Sequence, residues 1–319
     1  MKYRKIGKHG IKVSEISLGA WLTYGNSVDQ KRTTEIVRAA LDAGINYIDI
    51  ADIYAKGEAE RLVGKAIEGI TRSDLVISSK LFWPMSENIN DKGLSRKHII
   101  ESIEKSLKRI GTDYLDLYFC HRFDKETEVE ETVRAMSDLV SQGKVLYWGT
   151  SVWEAEQIER AVGEAKALGG YLPAVEQPRY NMLDRHIEDA ILPTCANNGM
   201  GVVVWSPLAQ GILTGKYNEV VPKGTRGADT MWLAGQLTDD NLSKVRQLTV
   251  VAKEAGMTIA QLALAWILRR PEISSAIVGA TSVPQLKENL AGCEVVLDET
   301  LTAKIDAILG QAPSGKFKF

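Results

Sequence analysis

The sequence predicts an α/β fold, a closed (β/α)8 barrel of the TIM-barrel class, and three observations lead there. Short apolar runs alternate with helix-periodic segments eight times along the chain. The connections between successive runs are long enough for parallel crossovers. No linker rich in Pro, Gly or Ser, no low-complexity tract and no fixed-period repeat interrupts the 319 residues, so residues 1–319 are expected to form one barrel domain. An open eight-stranded sheet with helices on both faces is the competing architecture.

Two short segments, Lys2 to Ile6 and Ile11 to Val13, flank Lys8-His9-Gly10 and predict an N-terminal β-hairpin. Ile16-Ser17-Leu18-Gly19 is the first barrel strand. Helical periodicity from Thr33 to Ala43 stops at Gly44, and Ile45 to Ala51 is the next strand. Glu58 to Ile70 reads as helix and Asp74 to Lys80 as strand. The Ser95 hydroxyl can cap a helix reaching Ile110 by accepting from an otherwise orphaned amide, and Tyr114 to His121 is the strand after it. Three further units follow: helix Glu128 to Ser141 with strand Val145 to Ser151, helix Glu154 to Leu168 with strand Ala174 to Gln177, and helix His186 to Asn197 with strand Gly201 to Ser206. A polar, glycine-bearing loop from Leu208 to Gln236 precedes helical stretches Asp240 to Glu254 and Ile259 to Arg270. Strand Ser275 to Ala280 and a helix from Pro284 to Leu290 come last, so extra helices gather near the C-terminus.

Composition narrows the function classes. With 45% hydrophobic and 25% charged residues the chain matches average globular usage, which argues against disorder and fibrous structure. A net charge of -2 offers no basic field to a phosphate backbone, so nucleic acid is not an expected partner. No apolar stretch reaches the ~18 residues a membrane span needs. Met1 to Lys8 carries no apolar leader core, and a cytoplasmic location without membrane insertion is the expectation. Cys120, Cys195 and Cys293 are odd in number, widely spaced and set in apolar runs, which predicts small buried thiols rather than disulfides or a metal site. The stretch Gly211 to Tyr217 resembles a phosphate-binding P-loop, but its glycine spacing is one residue short and Tyr217 replaces the required Ser or Thr. With no HExxH either, no metal is expected.

In a parallel barrel the C-terminal strand ends converge, so polar residues there become neighbours. In order they are Asp49 with Tyr54, Lys80, His121, Ser151, Gln177, Trp205 with Ser206, and Thr281. Singly, each has an ordinary structural explanation: a packed tyrosine, a solvated lysine, a hydrogen-bonded histidine. Together, Asp, Tyr, Lys and His at one end of three adjacent strands suit proton transfer. A phenol of ordinary pKa near ~10 is a weak acid at neutral pH, and an adjacent Lys80 ammonium is expected to lower that value by stabilising the tyrosinate. Asp49 would hold Lys80 charged and oriented, while His121 could donate a hydrogen bond to a carbonyl oxygen or share the proton path. Such a site protonates an oxygen that is becoming an alkoxide, and hydride must come from elsewhere.

Several stretches, in order, resemble the aldo-keto reductase family, most nearly the branch of the potassium-channel β-subunits and their bacterial relatives. They are Asp49 to Tyr54, Ser78-Ser79-Lys80, Phe119 to Arg122, Gly149-Thr150-Ser151, Glu176 to Asn181, Trp205 to Gly211, Gly215-Lys216-Tyr217, and Gly279-Ala280-Thr281 with Gln285, Glu288 and Asn289. The resemblance implies a barrel that binds NADP(H) across its C-terminal face, with a catalytic tetrad of Asp49, Tyr54, Lys80 and His121. It also implies that Trp205 stacks on the nicotinamide and that Ser151 and Gln177 bind its carboxamide. Ser206, Leu208, Lys216 and Arg226 would line the pyrophosphate. Gly279, Thr281, Gln285, Glu288 and Asn289 would hold the adenosine end and its phosphate, and Trp21, Asp49, Pro207 and Gln210 complete the implied cofactor set.

The chain also departs from the pattern. Val152 stands where relatives often carry Asn or Arg, and Thr281 and Gln285 replace a Ser and an Arg common in other branches. His121 stands where the animal channel subunits carry Asn, which favours catalysis. The implied activity is NADPH-dependent reduction of aldehydes or ketones to alcohols, with Tyr54 as general acid and a small carbonyl compound as substrate. Two other readings compete: a redox-sensing regulatory subunit of a membrane protein with slow turnover, and a barrel isomerase or lyase acting on a phosphorylated substrate. Asp52 is expected to face away from the pocket or cap the following turn. Trp21, Leu22, Thr23, Tyr24, Phe82, Trp83, Trp153, Met231 and Trp232 are the expected pocket walls, suited to an aromatic or medium aliphatic carbonyl. The sequence leaves a homo-oligomer open.

Overall fold

The computed structural model describes residues 1–21, 23–25, 27–221, 233 and 235–311. Strands β1 (Tyr3–Lys5) and β2 (Lys12–Ser14) pair antiparallel as the expected hairpin. Eight more strands, β3 (Ile16–Gly19), β4 (Tyr47–Asp49), β5 (Val76–Leu81), β6 (Leu115–Cys120), β7 (Val145–Thr150), β8 (Val175–Glu176), β9 (Gly201–Val204) and β10 (Ile273–Val278), close into a barrel in the order β10-β3-β4-β5-β6-β7-β8-β9. Each neighbouring pair is parallel, as the long crossovers require, and the open-sheet alternative is set aside.

Strand side chains alternate between the two faces of a sheet, so the barrel sorts them into an inner set and an outer set. Tyr47, Val76, Leu117, Phe119, Val175, Val203 and Ile277 form the inner cluster, to which the hairpin contributes Ile6 and Val13. The hairpin sits over the N-terminal strand ends, where Lys8 N donates to Gly199 O at 2.9 Å and Ser14 N to Asn46 Oδ1 at 2.8 Å. The outer set, including Ile48, Ile77, Tyr118 and Trp148, packs against helix residues such as Ile36, Val63, Ile103 and Met136. Following the inner phase to the other end of each strand gives Asp49, Lys80, His121, Ser151, Gln177, Trp205 and Gly279. One alternation rule therefore builds the core and delivers the polar residues to the C-terminal mouth.

Helix α1 (Gln30–Asp42) begins before Thr33 because Asp29 accepts from Arg32 N at 2.9 Å. Helix α2 (Glu58–Ala66) stops short of Ile70. Helix α3 (Arg96–Ile110) starts at the expected cap, with Ser95 Oγ accepting from His98 N at 3.3 Å. Helices α4 (Val129–Ser141) and α5 (Ala155–Ala167) fall where periodicity puts them. Helix α6 (Ile191–Asn198) does not begin at His186, because a start there would bury Pro193 in the helix interior. In the observed helix Pro193 lies in the first turn, where its missing N–H costs nothing. Among the described residues, helices follow at Asp239–Glu254, Ile259–Leu268, Val283–Ala291 and Glu299–Leu309, the last unforeseen although Asp298 caps it through Leu301 N at 2.7 Å. Among the described residues no single helix is long and apolar enough to cross a membrane.

Candidate active site

Register brings the site together. Asp49 pairs with Ser78 across β4 and β5, and Lys80 with Phe119 across β5 and β6, two residues before His121. Asp49 is buried and accepts from four side chains. Lys80 Nζ donates to Oδ2 at 2.7 Å, while Ser78 Oγ at 2.7 Å, Gln177 Nε2 at 2.9 Å and Tyr47 OH at 3.4 Å converge on Oδ1. Lys80 also donates to Ile50 O at 2.8 Å, and its ammonium lies 5.1 Å from the Tyr54 ring centroid. The His121 ring meets Tyr54 edge-on at 6.0 Å and Trp83 at 6.3 Å.

Tyr54 opens a turn in which Ala55, Lys56 and Gly57 take φ of 48°, 50° and 87°. Such left-handed backbone in non-glycine residues persists only where its surroundings enforce it. The charges correct one expectation. Burial, then the Asp49 carboxylate, push the Tyr54 phenol well above its ordinary value, and the Arg122 guanidinium offsets this only in part. Lys80 spends its hydrogen bonds on Asp49 and Ile50, so the phenol is not lowered, and Tyr54 is fully protonated at neutral pH. Burial draws the Lys80 ammonium down, against the upward pull of Asp49. Burial, helped by Arg122 and Lys80, holds His121 well below the ordinary imidazole value, so it is a neutral ring; its buried Nδ1 has no hydrogen-bond partner. The site is thus a neutral phenol and a neutral imidazole beside one buried ion pair.

Trp205, half-exposed past the end of β9, meets half-exposed Trp21 edge-on at 5.7 Å. Ser151 and Gln177 come to the same mouth, but Ser151 Oγ donates to Gln177 O at 2.9 Å and Gln177 Nε2 to Asp49. Beyond Trp205, Ser206, Gln210 and Gly211 take φ of 52°, 55° and 100°, around the buried Pro207 and half-buried Leu208. Lys216, Gly279, Thr281, Gln285 and Glu288 are exposed, and Gln285 Oε1 accepts from Thr281 N at 2.8 Å and from Thr281 Oγ1 at 3.1 Å. Gln210 Oε1 and Asn289 Nδ2 are buried without a partner. An amide-bearing dinucleotide with both donors and acceptors is suited to such orphaned groups, so the residues present fit a nicotinamide cofactor. Arg226 lies outside the described residues.

The expected pocket walls divide. Trp21, Phe82 and Trp83 are half-exposed, but Thr23, Tyr24 and Trp153 are buried: Tyr24 belongs to the core around α1, and Trp153 packs on Phe123 at 4.9 Å. The buried three are not walls, and Leu22, Met231 and Trp232 lie outside the described residues. Asp52 does face away from the mouth, towards α3, where Ser102 Oγ donates to its Oδ2 at 3.0 Å. Sequence reasoning gave no role to Tyr47 and Ser78, although each lies two residues before a site residue on the same strand face. It also missed Arg122, whose guanidinium lies 5.6 Å from the Trp83 ring and is lowered by burial to about 10. Glu176 was missed too; its Oε1 accepts from Trp153 N at 3.3 Å and its Oε2 from the Thr150 hydroxyl, pinning a turn in which Val152 adopts φ 57°. A groove of about 630 Å³ lies at the opposite end, lined by Lys8, Met200 and Arg269 among others, far from this convergence of polar groups.

A closed parallel barrel with an ion pair, a phenol and an imidazole at its C-terminal mouth is a site suited to proton transfer. The family model described as the Aldo/keto reductase family matches residues 15–310, and the chain belongs to that family, whose members generally reduce carbonyl compounds with NAD(P)H. The chain is 47% identical over 322 residues to an Arabidopsis thaliana protein described as "Probable voltage-gated potassium channel subunit beta", with 98% of each chain covered. A protein of Oryza sativa subsp. japonica with the same description is 45% identical over 326 residues, again with 98% of each chain covered.

Proposed function

We propose that this protein is an NADPH-dependent reductase of aldehydes and ketones, with Tyr54 as general acid. The observation that carries this reading is the convergence of Tyr54, His121 and the 2.7 Å Lys80–Asp49 pair at one set of strand ends. When bound, NADPH supplies the hydride that reaches the carbonyl carbon. Tyr54 keeps its proton at neutral pH and passes it to the carbonyl oxygen as that oxygen becomes an alkoxide. His121, as a neutral ring, offers one N–H to the same oxygen. Lys80, held by Asp49 and Ile50 with its ammonium 5.1 Å from the Tyr54 ring centroid, keeps the Asp49 carboxylate paired beside the phenol and fixes the floor of the site. Trp205 and Trp21 offer aromatic faces to the nicotinamide, Lys216 a cation to the pyrophosphate, and Gln210 and Asn289 their unpaired amide atoms. Half-exposed Phe82 and Trp83 suit a small carbonyl substrate with an apolar body. The reading requires neither nucleic acid nor membrane insertion, and we place the protein in the cytoplasm.

The description printed for the relatives supports a second reading, a redox-sensing regulatory subunit of a membrane protein with slow turnover. Rapid mixing of the NADPH-loaded protein with a reactive aldehyde separates the two. Repeated fast turnovers favour the reductase, and one fast oxidation followed by slow cycling favours the sensor. No oxidation at all contradicts both.

A further inference from the structure

Behind the Tyr54 turn lies a second ionic cluster, buried between α2, α3 and the barrel wall, that the proposed chemistry does not use. Asp52 is fully buried; its N–H donates to Lys80 O at 3.2 Å, its Oδ2 accepts from Ser102 Oγ at 3.0 Å, and its Oδ1 has no partner. Glu60 of α2, equally buried, accepts from Ser79 Oγ at 2.6 Å and from Arg109 Nε of α3. Arg109 also presses on the turn itself: a Cβ added to Gly57 would stand 2.7 Å from its Cδ and 2.8 Å from its Nε. The left-handed run Ala55-Lys56-Gly57 is therefore flanked at one end by Asp52, just past β4 and bonded to Lys80 O of β5, and at the other by Arg109 of α3.

Charge balance decides the state of Asp52. Arg109 answers Glu60 and Lys80 answers Asp49, so a second anion in the cluster would lack a cation of its own. The groups facing Asp52 are Glu60 on α2, Ser102 and Arg109 on α3, Tyr118 on β6, Lys80 on β5 and the Tyr54 phenol in its own turn. Burial and then the Glu60 charge raise the Asp52 carboxyl to about 8, against Ser102, Arg109 and the Ile53 amide.

We propose that Asp52 is a positioning residue for Tyr54: as a neutral acid bonded to Ser102 and to Lys80 O, and facing the charges of the Glu60–Arg109 pair, it holds the left-handed turn that aims the phenol, and its ionisation loosens that turn. The proposal rests on Tyr54 being the acid. Tyr54 itself stays protonated well above pH 10, so a fall in turnover between pH 7 and 9 does not come from the phenol.

The test compares the full-length chain with Asp52→Asn, an isostere of the neutral acid, and Glu60→Gln, which removes the facing charge. For the unmodified chain kcat falls about tenfold per pH unit above the Asp52 titration, while KM for NADPH changes less than about twofold. In Asp52→Asn the fall disappears. In Glu60→Gln it moves to lower pH, because the like charge that raises Asp52 is gone. A fall of the same size and position in Asp52→Asn overturns the proposal. Urea denaturation supplies a readout independent of turnover. A carboxyl raised on folding keeps its proton in the native state and loses it in the unfolded one, so stability falls as pH rises from about 4 to the native value. The unmodified chain should lose stability relative to Asp52→Asn across that window, and parallel curves overturn the neutral acid whatever the protein catalyses. A chain that shows the stability difference but oxidises no NADPH overturns instead the reading of Tyr54.

Discussion

Replacing Lys80 with Met removes a cation and leaves its carboxylate partner in place. Lys80 is fully buried and lies 2.7 Å from Asp49, whose side chain is 5% exposed. Breaking a buried pair by removing one partner costs about 3–5 kcal/mol, because an uncompensated charge stays buried. Asp49 keeps Ser78 at 2.7 Å and Gln177 at 2.9 Å, donors that solvate the anion in part, so the low end of that range, about 3 kcal/mol, is expected for Lys80→Met. Adding Asp49→Asn removes the stranded charge and should restore at least about half of the loss, a coupling that a double-mutant cycle reads directly. Urea denaturation at pH 7 of the four chains gives all the terms. A loss below about 1 kcal/mol in Lys80→Met, or a double variant as unstable as the sum of the singles, would refute the picture of a buried and mutually dependent pair.

Two further outcomes follow from the same geometry. Val152 carries a β-branched side chain at φ 57°, where left-handed backbone costs about 1–2 kcal/mol, so Val152→Asn should stabilise the fold by about 1 kcal/mol in thermal or urea denaturation; a destabilised variant contradicts the strain. His121 is depressed on folding, so below the ordinary imidazole value the unfolded chain binds the extra proton and stability falls with acidification. Between pH 7.5 and 5.5 the unmodified chain should lose about 1 kcal/mol more than His121→Gln, a difference that sets aside the other histidines, and equal losses would show an imidazole that titrates normally.

The barrel was legible because its inner phase repeats every second residue: the alternation that marks Tyr47, Val76, Leu117 and Val203 as core also carries Asp49, Lys80, His121 and Trp205 to the mouth. Capping signals were legible where the cap is local, as at Ser95. What the sequence concealed depends on contacts between distant elements. The phenol of Tyr54 stands high rather than low because the nearest ammonium is spent on Asp49 and Ile50, an arrangement that spacing alone does not reveal. Tyr24 and Trp153 read as pocket walls from their place near strand ends, yet each turns into the helix layer. The Asp52, Glu60 and Arg109 cluster joins three elements up to 57 positions apart and has no sequence signature. Helix Glu299–Leu309 carries a local signal as well, Asp298 before its first turn and Gly310 after its last.

The most direct test of the central claim is Tyr54→Phe, which deletes one oxygen and leaves the ring on His121. NADPH affinity, read by quenching of Trp205 fluorescence, should stay within about twofold, while turnover of an aldehyde should fall by ~10²–10⁴, the range a positioned acid contributes. Near-normal turnover in that variant would contradict the assignment of Tyr54 as the acid.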